Sequence, residues 1–249
     1  MLLDDPATSS PLGGSTAATL RATDSPVGGS STSTCATAAR AARSAVDAVL
    51  ADEPPCGLSV ARTVATAVPS AGLLVAGSSS SIRDLDLADP WDDAPLVLSN
   101  RGASGIDGTV STAVGAALAH PGPAYALMGD LTFLHDNTGL VIGPAEARPD
   151  LTVVVVNDDG GGLFTQLEQG DPRYADEFER LFGTPHGVDL AALCSATGTP
   201  HRLVGSDVDL RAELARKPSG IRVLEVRTDR GRTRNLHARL RAAVHDAVM

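Results

Sequence analysis

Two segments, AYALMGDLTFLHD (124–136) and LTVVVVNDDGGGLF (151–164), decide the fold. Each opens with an apolar run of strand length and then changes abruptly to polar residues. The first run ends at Gly129 and Asp130, and the second ends in NDDGGG. A short apolar run bounded by turn residues indicates a buried strand. The two segments therefore predict neighbouring strands of a sheet whose carboxyl ends carry acidic, amide and glycine residues.

Strand-like and helical segments alternate on both sides of this pair. The other segments with strand character are GLLVAGSS (72–79), APLVLSN (94–100), HRLV (201–204) and IRVLEVRT (221–228). The segments with helical character are 58–68, 108–120, 135–147, 188–198, 207–217 and a terminal helix from about residue 233. Regular alternation of strands and helices indicates parallel βαβ units. We therefore predict an α/β fold with three layers, α/β/α, around a mostly parallel sheet.

The composition divides the chain into three parts. Residues 1–35 are rich in Ser, Thr, Ala, Gly and Pro without a hydrophobic period, so we predict a low-complexity, disordered segment. Residues 36–56 begin with an alanine-rich helical pattern that stops at DEPP, and we interpret them as a linker helix on a domain surface. Residues 57–249 form the main domain.

Charge and cysteine content argue against several classes of partner. The formal net charge of −10 disfavours nucleic acid, because phosphate binding needs a basic surface. We interpret six arginines near the carboxyl end as a solvated helical face: Arg227, Arg230, Arg232, Arg234, Arg239 and Arg241. The three cysteines are too scattered for a disulfide framework or a zinc site, and no signal peptide or membrane-spanning run is evident. We expect a soluble, cytoplasmic protein with no membrane partner.

The two strand ends form the strongest candidate for a chemical site. Asp130 and Asp158 are 28 positions apart, which leaves room for a return helix and a strand, so both carboxylates can reach one hard cation. Mg²⁺ takes about six oxygen ligands and recruits phosphate oxygens to complete its shell. The glycines 160–162 would let backbone amides approach a diphosphate. The alternatives are an ordinary helix cap followed by a turn, or a dinucleotide site, although neither G-x-G-x-x-G nor a P-loop is present.

Three longer segments carry a family resemblance. SNRGASGIDGTVSTAVGAALAH (99–120), GDLTFLHD (129–136) and NDDGGGLF (157–164) resemble the 2-succinyl-5-enolpyruvyl-6-hydroxy-3-cyclohexene-1-carboxylate synthases, thiamine-diphosphate-dependent enzymes of menaquinone biosynthesis. The likeness covers residues 36–249 and the carboxyl-terminal part of that family. It implies a thiamine-diphosphate-binding fold and a reaction in which 2-oxoglutarate loses CO2 before its remainder is joined to isochorismate.

The resemblance also implies roles for individual residues. Asp130 and Asp158 would bind Mg²⁺ or Mn²⁺ through their side chains, and Gly160 through its carbonyl. Many relatives have Asn at the position of Asp158, and Asn157 is the alternative ligand if the register shifts by one. The further cofactor-binding residues that it implies are Ser79, Ile106, Gly129, Leu131, Gly161, Leu163 and Phe164.

Three of the implied roles concern the reaction itself. Ile106 would lie beneath the cofactor and force its two rings into the bent, reactive shape. Arg83 and Arg101 resemble the arginines that hold substrate carboxylates, for which a guanidinium is well suited. The segment GSSSSIRDLD (77–86) departs from the family pattern, which is closer to GNSMPVRD, so the loop that carries Arg83 is expected to be looser.

The resemblance implies a partner domain as well. In this family an amino-terminal domain, usually from the neighbouring subunit, supplies the glutamate that activates the aminopyrimidine, and nothing in residues 1–35 resembles it. We therefore expect a homo-oligomer that needs such a domain, and an isolated chain that is inactive. Two alternatives stay open: another thiamine-diphosphate decarboxylase of the acetolactate type, and a non-catalytic remnant domain.

Overall fold

The computed structural model describes residues 31–88, 91, 93–100, 102 and 105–249. Its six strands, all parallel, are β1 (Leu73–Ala76), β2 (Leu96–Leu98), β3 (Ala124–Gly129), β4 (Leu151–Asn157), β5 (His201–Val204) and β6 (Ile221–Arg227). They form one sheet in the order β2-β1-β3-β4-β6-β5. Leu, Val and Ala dominate the central strands because both faces of a parallel sheet are covered. The prediction of a parallel sheet is confirmed.

Helices cover both faces of this sheet and complete the three layers. The helices are α1 (Ser31–Leu50), α2 (Gly57–Ala67), α3 (Ser80–Ala88), α4 (Thr109–Ala119), α5 (Asp130–His135), α6 (Ala175–Phe178), α7 (Leu190–Ala196), α8 (Asp207–Leu214) and α9 (Arg230–Val248). On one face, α4 and α7 pack against residues such as Val153 and Val155 of β4. On the other face, α2, α3 and α8 pack against Leu127 and Val154. The predicted α/β/α architecture is confirmed.

The two long terminal helices, α1 and α9, pack together beside α2. Leu236 and Leu240 of α9 are buried with Leu58, and Val46 of α1 packs against this cluster. Glu53, which follows α1, forms ion pairs with Arg232 and Arg239 of α9. The segment predicted to be a linker helix therefore lies against α9.

Three boundaries differ from the sequence predictions. The first helix begins at Ser31, within the segment predicted to be disordered, and residues 1–30 lie outside the described residues. The expected loop around Arg83 is instead the helix α3. The helix predicted over 135–147 was wrong: α5 ends at His135, and one 3₁₀ turn precedes irregular backbone.

The early end of α5 is explained by a contact with α4. The Asp136 carboxylate accepts hydrogen bonds from the Ser111 backbone N–H at 2.6 Å and from the Ser111 hydroxyl at 3.1 Å. An aspartate bound in this way draws the chain towards α4. Pro144 then prevents a second helix, because a proline within a helix removes a donor and clashes with the preceding turn.

No helix in the described part of the chain is long and apolar enough to cross a bilayer.

One buried carboxyl group makes the fold sensitive to pH. Asp84 lies on the buried side of α3, and its side chain packs so closely on Gly57 that a Cβ there would stand 2.4 Å from the Asp84 Oδ2. Burial raises the pKa of Asp84 to about 7, to which the nearby Asp158 contributes, whereas Arg83 lowers it. The folded protein therefore holds a proton on Asp84 in a pH range where the unfolded chain has lost it.

We expect Asp84→Asn to change the pH dependence of stability. Between pH 5 and 8 the folded wild-type protein binds more protons at this group than the unfolded chain, so its free energy of unfolding should fall as the pH rises. Asn does not titrate, and the variant should gain on the order of 2 kcal/mol relative to wild type over this range. Urea denaturation at pH 5 and at pH 8, with a chelator present, measures this difference in the free energy of unfolding. The exposed Asp176→Asn is the control. Parallel pH profiles for wild type and Asp84→Asn would contradict the assignment.

Candidate functional site

A cavity of about 230 Å³ opens where the carboxyl ends of β1, β3 and β4 meet. Ligands of open parallel sheets bind at this edge, because the loops that leave the strands surround it. Most of the residues implied by the sequence line this cavity: Ser79, Ile106, Gly129, Asp130, Leu131, Asp158, Gly160, Gly161, Leu163 and Phe164. Asn157 and Arg83 are not among its lining residues, and Arg101 lies outside the described residues.

Asp130 is a buried carboxylate whose two oxygens both accept hydrogen bonds. It follows β3 directly and is 2% exposed. Its Oδ1 accepts the N–H of Leu131 at 2.7 Å, and its Oδ2 accepts the N–H of Gly160 at 2.9 Å. The hydrogen bond between Asp130 and Gly160 ties the end of β3 to the loop after β4.

His186 is a further partner of Asp130 that the sequence reasoning missed. Its Nε2 lies 3.1 Å from the Asp130 Oδ2, and its Nδ1 accepts the N–H of Val188 at 3.0 Å. Since Nδ1 is an acceptor, the ring proton is on Nε2, and His186 donates to the carboxylate. No spacing signal identifies this residue, because it comes from a long irregular segment 56 positions away.

Asp158 faces Asp130 across the adjacent strand end. The last residues of β3 pair with β4 in register up to Gly129 and Val156, so the two carboxylates leave neighbouring strands at nearly the same height. Burial, together with the negative charge of Asp130, raises the pKa of Asp158 to about 7. Its Oδ1 is buried without a hydrogen-bond partner among the described residues.

Asn157 points away from Asp158 and into the sheet. Its Nδ2 donates to Glu225 Oε1 at 2.8 Å, and its Oδ1 accepts the N–H of Asp159 at 3.0 Å. Glu225 is 1% exposed and also binds His201 at 2.9 Å and Arg227 at 2.9 Å. Both polar atoms of the Asn157 side chain therefore have partners, and the bond to Glu225 fixes the end of β4 to β6.

The glycines of NDDGGG are required by packing within the protein. A Cβ on Gly160 would lie 1.9 Å from the Gly183 carbonyl oxygen, and one on Gly161 would lie 2.0 Å from that of Phe182. The Gly161 N–H donates to the Gly183 carbonyl at 2.8 Å. A Cβ on Gly162 would meet Asp158 Oδ2 at 1.8 Å. The amides of Gly160 and Gly161 thus have internal partners, unlike the free amides expected from the sequence.

The serine-rich turn after β1 lines the other side of the cavity. Ser79 has a φ of 71°, a left-handed conformation that is uncommon for a residue with a side chain. Its carbonyl accepts a hydrogen bond from Arg83 Nη1. Arg83 is exposed and folds back on its own turn, so its guanidinium is held outside the cavity.

The far wall of the cavity contains groups that the sequence did not single out. The helix α9 contributes Thr233, Leu236 and His237, and Cys56 and Asp84 lie at the amino-terminal end of α2 and on α3. Burial lowers the pKa of His237, with Arg241 adding to the effect. The terminal helix, whose arginines were interpreted as a solvated face, therefore also forms part of the site.

The donor groups suit a divalent cation bound together with phosphate oxygens. No group of three or more His, Cys, Asp or Glu side chains is arranged to hold a metal ion within the described ranges. A hard cation that is bound by two carboxylates still has open coordination positions, which carbonyl, phosphate and water oxygens can fill. The Asp158 Oδ1, buried and without a partner in this part of the chain, supports the fit, because such an oxygen is costly unless it is bound.

Comparisons with known proteins agree with this geometry. Residues 91–226 match the family model described as "Thiamine pyrophosphate enzyme, C-terminal TPP binding domain". The fold is similar to that of benzoylformate decarboxylase from Polynucleobacter necessarius, with a TM-score of 0.55 at 20% identity over 69% of this chain and 32% of that one.

Curated relatives are considerably closer in sequence. A protein of Nocardia farcinica is 58% identical over 82% of this chain and 37% of its own length. One of Saccharopolyspora erythraea is 55% identical over 78% of this chain and 35% of its own length. Both are named 2-succinyl-5-enolpyruvyl-6-hydroxy-3-cyclohexene-1-carboxylate synthase, and the chain spans less than two fifths of either. With more than half of its residues matched by the family model, this chain belongs to the thiamine pyrophosphate enzymes, of which it contains the C-terminal TPP-binding domain.

Proposed function

We propose that this chain is the cofactor- and metal-binding half of a synthase that decarboxylates 2-oxoglutarate and joins the remaining unit to isochorismate. The product would be 2-succinyl-5-enolpyruvyl-6-hydroxy-3-cyclohexene-1-carboxylate, an intermediate of menaquinone biosynthesis. The observation that carries the proposal is the carboxylate pair, Asp130 and Asp158, at adjacent strand ends of a TPP-binding domain. The names of the relatives that are more than half identical to the chain support the choice of substrates.

Three groups would hold the metal and the diphosphate. The side chains of Asp130 and Asp158 and the carbonyl of Gly160 would bind Mg²⁺ or Mn²⁺, and the metal would bind the diphosphate oxygens. No hydrogen bond among the described residues ends on the Gly160 carbonyl, so it is available as a ligand. Asn157 would act as an anchor, because Glu225 and Asp159 already occupy its amide.

Apolar residues would enclose the reacting part of the cofactor. Thiamine diphosphate, when bound, supplies the electron sink for loss of CO2 from a 2-oxo acid. Ile106 would support it from below, and Leu163 and Phe164 would exclude water from the cavity. Removing water strengthens every electrostatic contact inside such a site.

The substrate carboxylates would be held by Arg83 and Arg101. Arg83 would have to leave the Ser79 carbonyl and turn towards the cavity, a movement that an exposed side chain can make. A guanidinium binds a carboxylate through two parallel hydrogen bonds, which fixes its orientation.

The rest of the machinery would come from an amino-terminal domain. That domain would supply the glutamate that activates the aminopyrimidine, most simply from the second subunit of a homo-oligomer. The free cysteines Cys35, Cys56 and Cys194 are consistent with a reducing compartment, and we place the protein in the cytoplasm.

We expect thiamine diphosphate to bind the purified chain only in the presence of Mg²⁺. Asp130→Ala should abolish this binding, because it removes a metal ligand and the partner of Gly160. Calorimetric titration with and without Mg²⁺ measures both effects, and the exposed Asp176→Ala is the control. Absence of binding in the wild-type chain at millimolar Mg²⁺ would reject the proposed site in this form of the protein and favour a remnant domain.

We call residues 157–162, the NDDGGG segment, the metal loop. Its first two residues, Asn157 and Asp158, should respond differently to substitution. Asp158→Ala should abolish metal-dependent binding, whereas Asp158→Asn keeps one oxygen ligand and should retain it. Asn157→Ala should instead lower the free energy of unfolding by about 1–3 kcal/mol, because Glu225 loses a buried hydrogen bond. Calorimetric titration of thiamine diphosphate at a temperature below the unfolding transition separates a loss of binding from a loss of stability. Loss of binding in a folded Asn157→Ala protein, with binding intact in Asp158→Ala, would make Asn157 the ligand.

The isolated chain should show no turnover. Release of CO2 from 2-oxoglutarate should stay at background until the amino-terminal part of a relative is added, and it should then depend on isochorismate. Assays with pyruvate in place of 2-oxoglutarate test the acetolactate-type alternative. Appreciable product from the purified chain by itself would refute the requirement for a partner domain.

A further inference from the structure

Arg230 forms hydrogen bonds with two separate segments close to the site, although it is not among the residues that line the cavity. It is the first residue of α9, and its side chain is only 16% exposed. Its Nη1 donates to two consecutive carbonyls of the metal loop, those of Asp158 at 2.7 Å and Asp159 at 2.8 Å. Its Nη2 donates to the carboxylate of Glu179.

Glu179 is the first residue of a segment that contacts the metal loop at several positions. We call residues 179–187 the clamp segment. Beyond the bond from Gly161 to Gly183, the backbone amides of His186 and Gly187 donate to Asp159 Oδ1 at 3.1 and 2.8 Å. The Phe182 ring packs on Phe164, with centroids 5.6 Å apart. Arg230 therefore joins the start of the clamp segment to the start of the metal loop.

The metal loop contains one strained position. Asp159 has a φ of 59°, and a residue with a side chain keeps this left-handed conformation only when its surroundings hold it there. Gly160, with a φ of 141°, adopts a conformation that glycine tolerates. Arg230 holds the carbonyls of Asp158 and Asp159, and so adds to the hydrogen bonds that the Gly160 and Gly161 amides make to Asp130 and Gly183.

We propose that Arg230 is a positioning residue for the metal: by binding the carbonyls of Asp158 and Asp159 and the carboxylate of Glu179, it locks the clamp segment onto the metal loop. The Asp158 carboxylate and the Gly160 carbonyl are thereby held in the arrangement that a metal would use. The role in metal binding rests on the proposed function, whereas the effect on the loop does not. Outer contacts of this kind typically contribute 10- to 100-fold to metal affinity.

Two measurements on the purified full chain test this. Hydrogen exchange of the Gly160 and Gly161 amides in the presence of a chelator reports the loop alone. Titration of Mn²⁺ with saturating thiamine diphosphate, followed by the electron paramagnetic resonance of free Mn²⁺, reports the metal site. The matched control is Arg234→Gln, one turn further along α9, whose guanidinium binds the carbonyls of Thr165 and Leu167 without touching the metal loop.

Arg230→Gln should accelerate exchange of both amides by at least about tenfold and weaken Mn²⁺ binding by about tenfold, with Arg234→Gln unchanged in both. Arg230→Lys should recover part of each effect, because an ammonium can reach a carbonyl but cannot bridge both partners in one plane. Wild-type exchange in Arg230→Gln, or equal changes in the two glutamine variants, would overturn the proposal. If the wild-type chain fails to bind Mn²⁺, the proposed function fails, and the exchange result alone still supports or overturns the locking of the loop.

Discussion

The repulsion between Asp130 and Asp158 is the constraint on which the site depends. Parallel pairing brings the two carboxylates to neighbouring strand ends, where burial and mutual repulsion both favour the neutral form of Asp158. Asp130 is compensated by two backbone amides and His186, whereas one oxygen of Asp158 has no partner in the described structure. A divalent cation would remove this imbalance, because it attracts both carboxylates and satisfies the free oxygen. Without a ligand, the charged form of Asp158 is therefore unfavourable at this end of the sheet. Such an arrangement is expected of a binding site more than of a structural turn.

The supporting contacts are arranged on two sides of the metal loop. Behind it, buried Glu225 on β6 holds Asn157 and so fixes the point at which β4 ends. In front of it, Arg230 and the clamp segment hold the loop through its carbonyls and through Asp159. The rear contacts lie within the central sheet and depend on strand register. The front contacts come from the clamp segment, which begins with the π-helical turn Glu179–Gly183, and from the start of α9. The front contacts are therefore the ones that can open without unfolding the domain, since segments with few buried apolar contacts open at the lowest free energy.

The sequence predicted the sheet and the two carboxylates at neighbouring strand ends because both are local patterns. Apolar runs that end in GD and NDDGGG identify strand and loop within a dozen residues, and the order of the elements follows from their alternation. The roles of His186 and Arg230 could not be predicted in this way, because each depends on a contact with a residue more than 50 positions away. Arg230 also lies among five other arginines, and only the three-dimensional structure distinguishes its side chain, 16% exposed, from those of Arg232 and Arg239, which are 53% and 50% exposed. The failed helix at 135–147 has the same origin, since the contact of Asp136 with Ser111 overrides the local helical pattern.

The glycines of the metal loop line the cavity, but their amides are not free. The N–H of Gly160 donates to Asp130 and the N–H of Gly161 donates to Gly183. A diphosphate that needed these amides would have to displace the contact with Gly183, and a metal on Asp130 would compete with the N–H of Gly160. Under the proposed function, ligand binding would therefore be an exchange of partners, in which the bonds of the metal to Asp130, Asp158 and the diphosphate replace hydrogen bonds of the Gly160 and Gly161 amides. Such an exchange would also give the buried Asp158 Oδ1 a partner, and it would couple the position of the clamp segment to occupancy of the site.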